Sequence, residues 1–256
     1  MLILENIKKT FYGAFEPVLK NINLKLLEHD FCVIIGANGS GKSTLLKTIV
    51  GDYPLDGGRI MINRYDMTKK DRSHLIAQVV QDVNKGTVPE MTLLENMVLS
   101  RLRGYRKTFS CYDKYQDQIL NELKEIDIGL EQFIHYRLQH LSGGQRQMIA
   151  TIMSINSQAK LLLLDEHTSA LDPKMQRILM DYTANAIKKR GLTTLMITHK
   201  LDDAIRYGNR LIMLHKGQIV LDVTGEKKAT MTITELLDLF HQYEDIGLIS
   251  KDAHDS

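Results

Sequence analysis

Cysteine, charge of one sign and long apolar runs are all scarce in this chain, and each shortage removes a class of protein. Only Cys32 and Cys111 are present, with no spacing that suits a zinc site or a disulfide framework. Cys32 lies in an apolar run, so a small core thiol and a reducing compartment are expected. Lys and Arg total 33 against 31 Asp and Glu, a net charge of +2 that gives no electrostatic case for nucleic acid. Nowhere do about 18 apolar residues run together, which argues against a membrane-spanning helix. The opening Met1-Leu2-Ile3-Leu4-Glu5-Asn6 turns polar too soon for a signal peptide. Work at a membrane would therefore fall to a peripheral subunit.

What is there in strength is a loop for phosphate. Gly36-Ala37-Asn38-Gly39-Ser40-Gly41-Lys42-Ser43-Thr44 matches G-x-x-x-x-G-K-[ST], between the apolar run Phe31 to Ile35 and the helix-like run Thr44 to Val50. Glycines at three positions let successive N–H groups turn inward toward phosphate oxygens, and the following helix adds its positive dipole end. An anion of nucleotide size fits, with Lys42 reaching the β- and γ-phosphates and the Ser43 hydroxyl ligating Mg²⁺.

The 256 residues, 43% of them hydrophobic, can build a sizeable core. Short alternating runs over residues 1–35 predict strands flanking a sheet whose first parallel strand feeds the phosphate loop. Asp56-Gly57-Gly58 signals a turn before the strand Arg59 to Ile62, and Leu75 to Val80 reads as a buried strand. Helical periodicity then takes over, with Leu93, Leu94, Met97 and Val98 on one face and Ile119, Leu120, Leu123 and Ile126 on another. Leu161 to Leu164 returns to a buried strand, Lys174 to Lys189 is a crossover helix, and Thr193 to Thr198 is the next strand. Arg210 to Leu214 and Gln218 to Asp222 flank His215-Lys216-Gly217 as a hairpin. An amphipathic stretch, Ile233 to Tyr243, precedes a polar tail over 244–256. The prediction is one α/β domain over 1–243, with its core at about 1–81 and 156–230 and a helical insertion at about 82–155.

A phosphate loop alone names no activity. Further along, Leu141-Ser142-Gly143-Gly144-Gln145 precedes a helix, Arg146 to Ile155, whose N-terminus suits phosphate. The strand Leu161 to Leu164 ends in Asp165-Glu166, Ser169-Ala170-Leu171-Asp172 follows, and His199 ends the next strand. These motifs resemble the nucleotide-binding subunits of ABC transporters, over nearly the whole chain from residue 2 to about 243.

The resemblance implies a P-loop α/β fold with a mainly parallel central sheet, an N-terminal antiparallel β-subdomain and a helical insertion. It also implies an ATPase using ATP and Mg²⁺ that works as a head-to-tail dimer, because the signature of one copy closes on the ATP held by the other. By the same resemblance Asp165 would hold the Mg²⁺ shell with Ser43, and Glu166 would be the general base. Gln81 would sense Mg²⁺ and the γ-phosphate, and His199 would contact the γ-phosphate. Ser142, Gly143, Gly144 and Gln145 would meet the partner's ATP, and Asp172 would lie at the interface. Adenine would stack on Phe11 in preference to Tyr12. Integral permease subunits, a solute-binding protein and the cytoplasmic face of the membrane complete the implied setting.

One position departs from the pattern. Most relatives carry proline after the Asp-Glu pair, whereas this chain has His167, read as a loop residue facing solvent or else as a tuner of Glu166 as pH crosses neutrality. Asp165-Glu166-His167-Thr168, Tyr207 to Met213 and Thr232 to Leu237 resemble ATPase subunits of importers of the tryptophan/tyrosine type, which points to a small solute. A soluble ABC ATPase for iron–sulfur assembly and an exporter subunit are the rival readings. Arg101, Arg103, Tyr105, Arg106 and Lys107 form a basic run expected to be a solvated face, or a contact for lipid or a permease. A permease helix would dock near 82–99, with Met91, Leu93, Leu94 and Met97 serving as groove lining or as helical core.

Overall fold

The computed structural model describes the backbone of residues 1–80, 86–102 and 112–252, and the side chains of all of these except 112–114 and 244–252. Gln81, Asp82, Arg103, Tyr105, Arg106, Lys107 and Cys111 lie outside the described residues, as does the end of the tail from 253. The chain forms two compact units, residues 1–71 with 195–256, and residues 72–194.

In chain order, the first unit opens with β1 (Leu2–Lys9), β2 (Leu19–Leu26), β3 (Phe31–Ile35), α1 (Lys42–Val50), β4 (Gly57–Ile62) and β5 (Tyr65–Asp66). The second holds β6 (Ile76–Val79), α2 (Leu93–Arg101), α3 (Tyr112–Glu125), α4 (Gly143–Asn156), β7 (Leu161–Asp165) and α5 (Pro173–Arg190). Strand β8 (Thr193–Ile197) carries the chain back, and α6 (Leu201–Arg206), β9 (Arg210–His215), β10 (Gln218–Thr224), α7 (Gly225–Thr230) and α8 (Ile233–Asp252) close the first unit.

In the first unit, β2-β1-β4-β5 make an antiparallel sheet. Leu2 and Leu4 of β1 face inward, but Asn6 adopts φ 51 and the register shifts after Leu4, so the buried set continues at Ile7 and Lys9. A bulge of this kind turns the strand without exposing its apolar face. A second sheet begins with β3, whose five residues are all buried, pairing in parallel with β9; β9 in turn pairs antiparallel with β10. The β9–β10 turn is made by Lys216 and Gly217, both at positive φ as a tight hairpin requires. Arg210 ties the two sheets together: its guanidinium donates to both carboxylate oxygens of Asp222 and, 2.6 Å away, to the Lys25 carbonyl.

In the second unit β6 and β7 pair in parallel, and their buried Ile and Leu runs match strands covered on both faces. The helices share one core, from Leu93, Leu94 and Met97 of α2 through Ile119 and Leu123 of α3 to Ile149 and Ile152 of α4. The α/β class, the N-terminal antiparallel sheet and the helical insertion are thus as the sequence predicts. Two boundaries differ by three residues or more. The signature helix starts at Gly143, three residues before the predicted Arg146, and α8 continues to Asp252, beyond the amphipathic stretch that ends at Tyr243.

Candidate functional site

The phosphate loop belongs to the first unit. Beyond β3 the backbone turns at Gly36 with φ 149, where a Cβ would stand 2.1 Å from the Leu214 carbonyl oxygen, so glycine is needed there for space as well as for φ. Gly41, also left-handed, caps α1 with no side-chain hydrogen bond. A helix start with no capping side chain suits an anion. Lys42 curls back over the loop, its ammonium donating to the carbonyls of Gly36 (2.7 Å) and Ala37 (2.9 Å). Asn38, Gly39 and Ser43 are exposed, Ser40 is buried and Thr44 is half-buried.

Two further expected residues share this unit. Phe11 packs edge-on against Tyr53 at 5.1 Å, with the Lys9 ammonium 5.7 Å from its ring centre, while Tyr12 is fully exposed. His199 is exposed just past the end of β8, where the Thr198 amide donates to the Ile34 carbonyl of β3 at 3.2 Å. It therefore follows a strand end that lies beside the strand feeding the phosphate loop.

The second unit carries the acids and the signature. Four buried leucines of β7 lead to half-buried Asp165 and Glu166, and Glu166 has φ 47, uncommon for a residue with a Cβ. The amide of Ser169 donates to the Glu166 carbonyl at 3.0 Å and closes the turn. Gly144 lies against the loop that follows, since a Cβ there would meet Leu171 at 2.9 Å. The signature residues thus sit beside the segment that runs from Glu166 to Asp172.

Two signature residues form a capping box whose S-x-x-Q pattern was present in the sequence but went unread: the Ser142 hydroxyl accepts from the Gln145 amide (3.2 Å), and the Ser142 amide donates to Gln145 Oε1 (2.9 Å). Asp172 likewise caps α5, accepting from the amides of Lys174 and Met175, with Pro173 in the first helical position.

His167 requires a correction. It is 2% exposed, with Nε2 buried and unpartnered, so it does not face solvent. Burial pushes its pKa down to about 4, so the ring stays neutral across the range in which tuning of Glu166 was expected. Below its ordinary value of 6.5 the unfolded chain takes up a proton that the folded chain refuses until about pH 4. Stability present above pH 6.5 is therefore expected to fall by up to about 3 kcal/mol as pH drops toward 4. Urea denaturation at pH 7 and 4.5 measures this, and His167→Leu should flatten the difference.

Arg101 leaves the expected solvated face, and Leu93, Leu94 and Met97 take the second of their two readings, helical core. The side chain of Arg101 is largely buried, paired with Glu122 at 2.5 Å and held over the Tyr115 ring, so it belongs to no solvated face. Asn156 donates to the same carboxylate at 2.8 Å. Leu93, Leu94 and Met97 are buried in the helical core, which leaves Met91 half-buried and Val88 exposed on the approach to α2. Asn96, which sequence reasoning passed over, is 1% exposed and pins that approach. It accepts from the Val88 amide at 2.8 Å and donates to the carbonyls of Val88, Met91 and Thr92. An Asn inside an apolar helical run was the available signal.

The α/β fold with its glycine-rich loop ahead of α1 defines the class, a P-loop nucleotide-binding protein. Residues 19–169 match the ABC transporter family, and the chain belongs to that family as an ATP-binding subunit. It is 38% identical over 247 residues to a tyrosine transport ATP-binding protein of Clostridioides difficile (strain R20291), covering 94% of this chain and 98% of that one. It is also 32% identical over 226 residues to the phosphonates import ATP-binding protein PhnC of Trichormus variabilis, covering 85% and 90%.

Among solved structures, the dimeric post-hydrolysis state of the ATP-binding cassette MJ0796 bound to ADP and Pi superposes with a TM-score of 0.76 at 30% identity, covering 88% of this chain and 98% of that one. The ADP conformation of the cassette MJ1267 gives 0.76 at 26% identity, covering 97% and 98%. The chain is accordingly an ATPase of the kind coupled to transport. Among the described residues no helix is long and apolar enough to cross a membrane.

Proposed function

We propose that the chain is the ATP-hydrolysing subunit of a bacterial importer for a small solute, an amino acid ahead of a phosphonate. The observation that carries this reading is the 38% identity to a tyrosine transport ATP-binding protein, sustained over nearly the full length of both chains. Two copies would associate head to tail on the cytoplasmic face of the membrane, bound to integral permease subunits and served by a solute-binding protein. Closure on two ATP molecules pulls on the permease, and hydrolysis with phosphate release reopens the pair.

Each copy would hold the triphosphate with residues 38–44, Lys42 neutralising the β- and γ-phosphates, and stack adenine on Phe11, which has Lys9 and Tyr53 to steady it. Ser142, Gly143, Gly144 and Gln145 would seal the ATP of the other copy, with Asp172 beside that interface. Glu166 would take the proton of the attacking water, while His199 and Gln81 contact the γ-phosphate side. Mg²⁺ suits a set of few, hard oxygen donors; Ser43, Gln81 and Asp165 would hold it with the phosphates, and when bound it offsets charge on the phosphate oxygens. The exposed Ser43 hydroxyl at the start of α1 fits that demand.

Deleting the gene and following uptake of labelled tyrosine tests the solute, while affinity purification from membranes tests the partner. Lost tyrosine uptake together with a copurifying permease is expected. Recovery with a soluble iron–sulfur scaffold in place of a permease would overturn the reading.

A further inference from the structure

Leu236, Phe240 and Tyr243 follow the i, i+4, i+7 spacing that puts them on one face of α8. Leu236 is fully buried and the two rings are half-buried. Phe240 and Tyr243 line a small cleft whose other walls are Gly36, Ala37, Met213, Leu214 and His215. The Tyr243 hydroxyl donates to the Val220 carbonyl at 3.0 Å, and its ring centre stands 6.3 Å from that of His215. This face of the C-terminal helix therefore touches the β9–β10 hairpin through Tyr243 and faces the first two residues of the phosphate loop across the cleft. The hairpin is itself joined to the loop, because the Gly217 amide donates to the Ser40 carbonyl at 3.0 Å.

Gly36 and Ala37 are also the residues whose carbonyls hold the Lys42 ammonium. The Tyr243–Val220 and Gly217–Ser40 hydrogen bonds make a continuous chain from α8 through the hairpin to the loop, so a displaced helix end displaces the loop whose carbonyls hold Lys42. We propose that the Leu236–Phe240–Tyr243 face of α8 is a positioning surface for nucleotide: it sets the two carbonyls that place Lys42 and thereby how tightly the loop grips a triphosphate. This rests on the reading of residues 36–44 as the ATP site. The C-terminal helix is then a handle through which anything that grips or lifts it changes ATP affinity.

Phe240→Ala removes one wall of the cleft while leaving every group assigned to ATP in place. Titration with methylanthraniloyl-ATP and Mg²⁺ is expected to give a Kd raised about tenfold, with KM for ATP rising in step and kcat at saturation nearly unchanged. Phe240→Leu should recover most of the affinity, and Leu237→Ala, on an exposed part of the same helix, should leave it as in the wild type. A general loss of stability lowers the melting temperature but does not produce this split between KM and kcat. If Phe240→Ala does not fold, Tyr243→Ala takes its place, and either variant folded with wild-type Kd overturns the proposal. Lys42→Ala separates the two readings: its binding the analogue as well as the wild type overturns the ATP site itself, whereas weakening there and nowhere else overturns the role of α8 alone.

Discussion

Glu166→Gln is expected to lower steady-state ATP hydrolysis by about 10² to 10⁴-fold, the range typical of a lost general base, while leaving ATP binding intact. The two side chains have the same shape, but an amide cannot accept the proton of the attacking water. The backbone gives an independent reason to single out this residue. Glu166 sits at φ 47 directly after β7, a conformation that costs free energy for any residue with a Cβ and that concentrates at working sites. Gln bears the same strain, so the fold should be untouched. With hydrolysis blocked and Mg-ATP present, two copies should stay closed on each other in size-exclusion chromatography with the membrane partner. An unchanged hydrolysis rate would remove Glu166 from the role of base.

What could be read in the sequence was local. The phosphate loop, the carboxylates ending β7 and the β9–β10 hairpin each combine an apolar run with a turn signal a few residues away, and all fall where spacing places them. Long-range pairing was hidden. Arg101 looks like the start of a basic run until Glu122, on another helix, takes its charge. The apolar face of α2 has the same spacing whether it lines a groove or fills a core, and only the burial of Leu93, Leu94 and Met97 decides it.

His167 follows two acids in a loop, a place that reads as solvent-facing, yet its side chain is buried. Phe240 and Tyr243 announce only an amphipathic helix, because nothing in a sequence pairs the C-terminal end of a chain with Gly36. The importer-like phrase around Asn209-Arg210 gains a physical meaning instead. Asn209 accepts from the Phe31 amide at 2.9 Å and Arg210 links β2 to β10, so these residues hold the sheets together.

Gly143→Asp is expected to abolish hydrolysis, to below about a hundredth of wild type, without harming the fold of the copy that carries it. A Cβ at Gly143 meets nothing within 4 Å, and an acid in the first turn of α4 complements the helix dipole, so the melting temperature should hold or rise. Affinity of a single copy for ATP should also hold, because its phosphate loop is unaltered. The damage should fall on the partner, whose triphosphate would face a new carboxylate in the first turn of α4. That makes the defect complementable.

Lys42→Ala is expected to be inactive for the opposite reason, a spoiled loop with an intact signature. In a mixed pair one pocket combines both defects and the other joins the sound loop of one copy to the sound signature of its partner. Equal mixing of the two inactive proteins should thus restore about a quarter of wild-type hydrolysis, since half the pairs are mixed and each has one whole pocket. Activity that stays at zero on mixing, with exchange of subunits verified, would rule out a shared pocket that turns over by itself in a mixed pair.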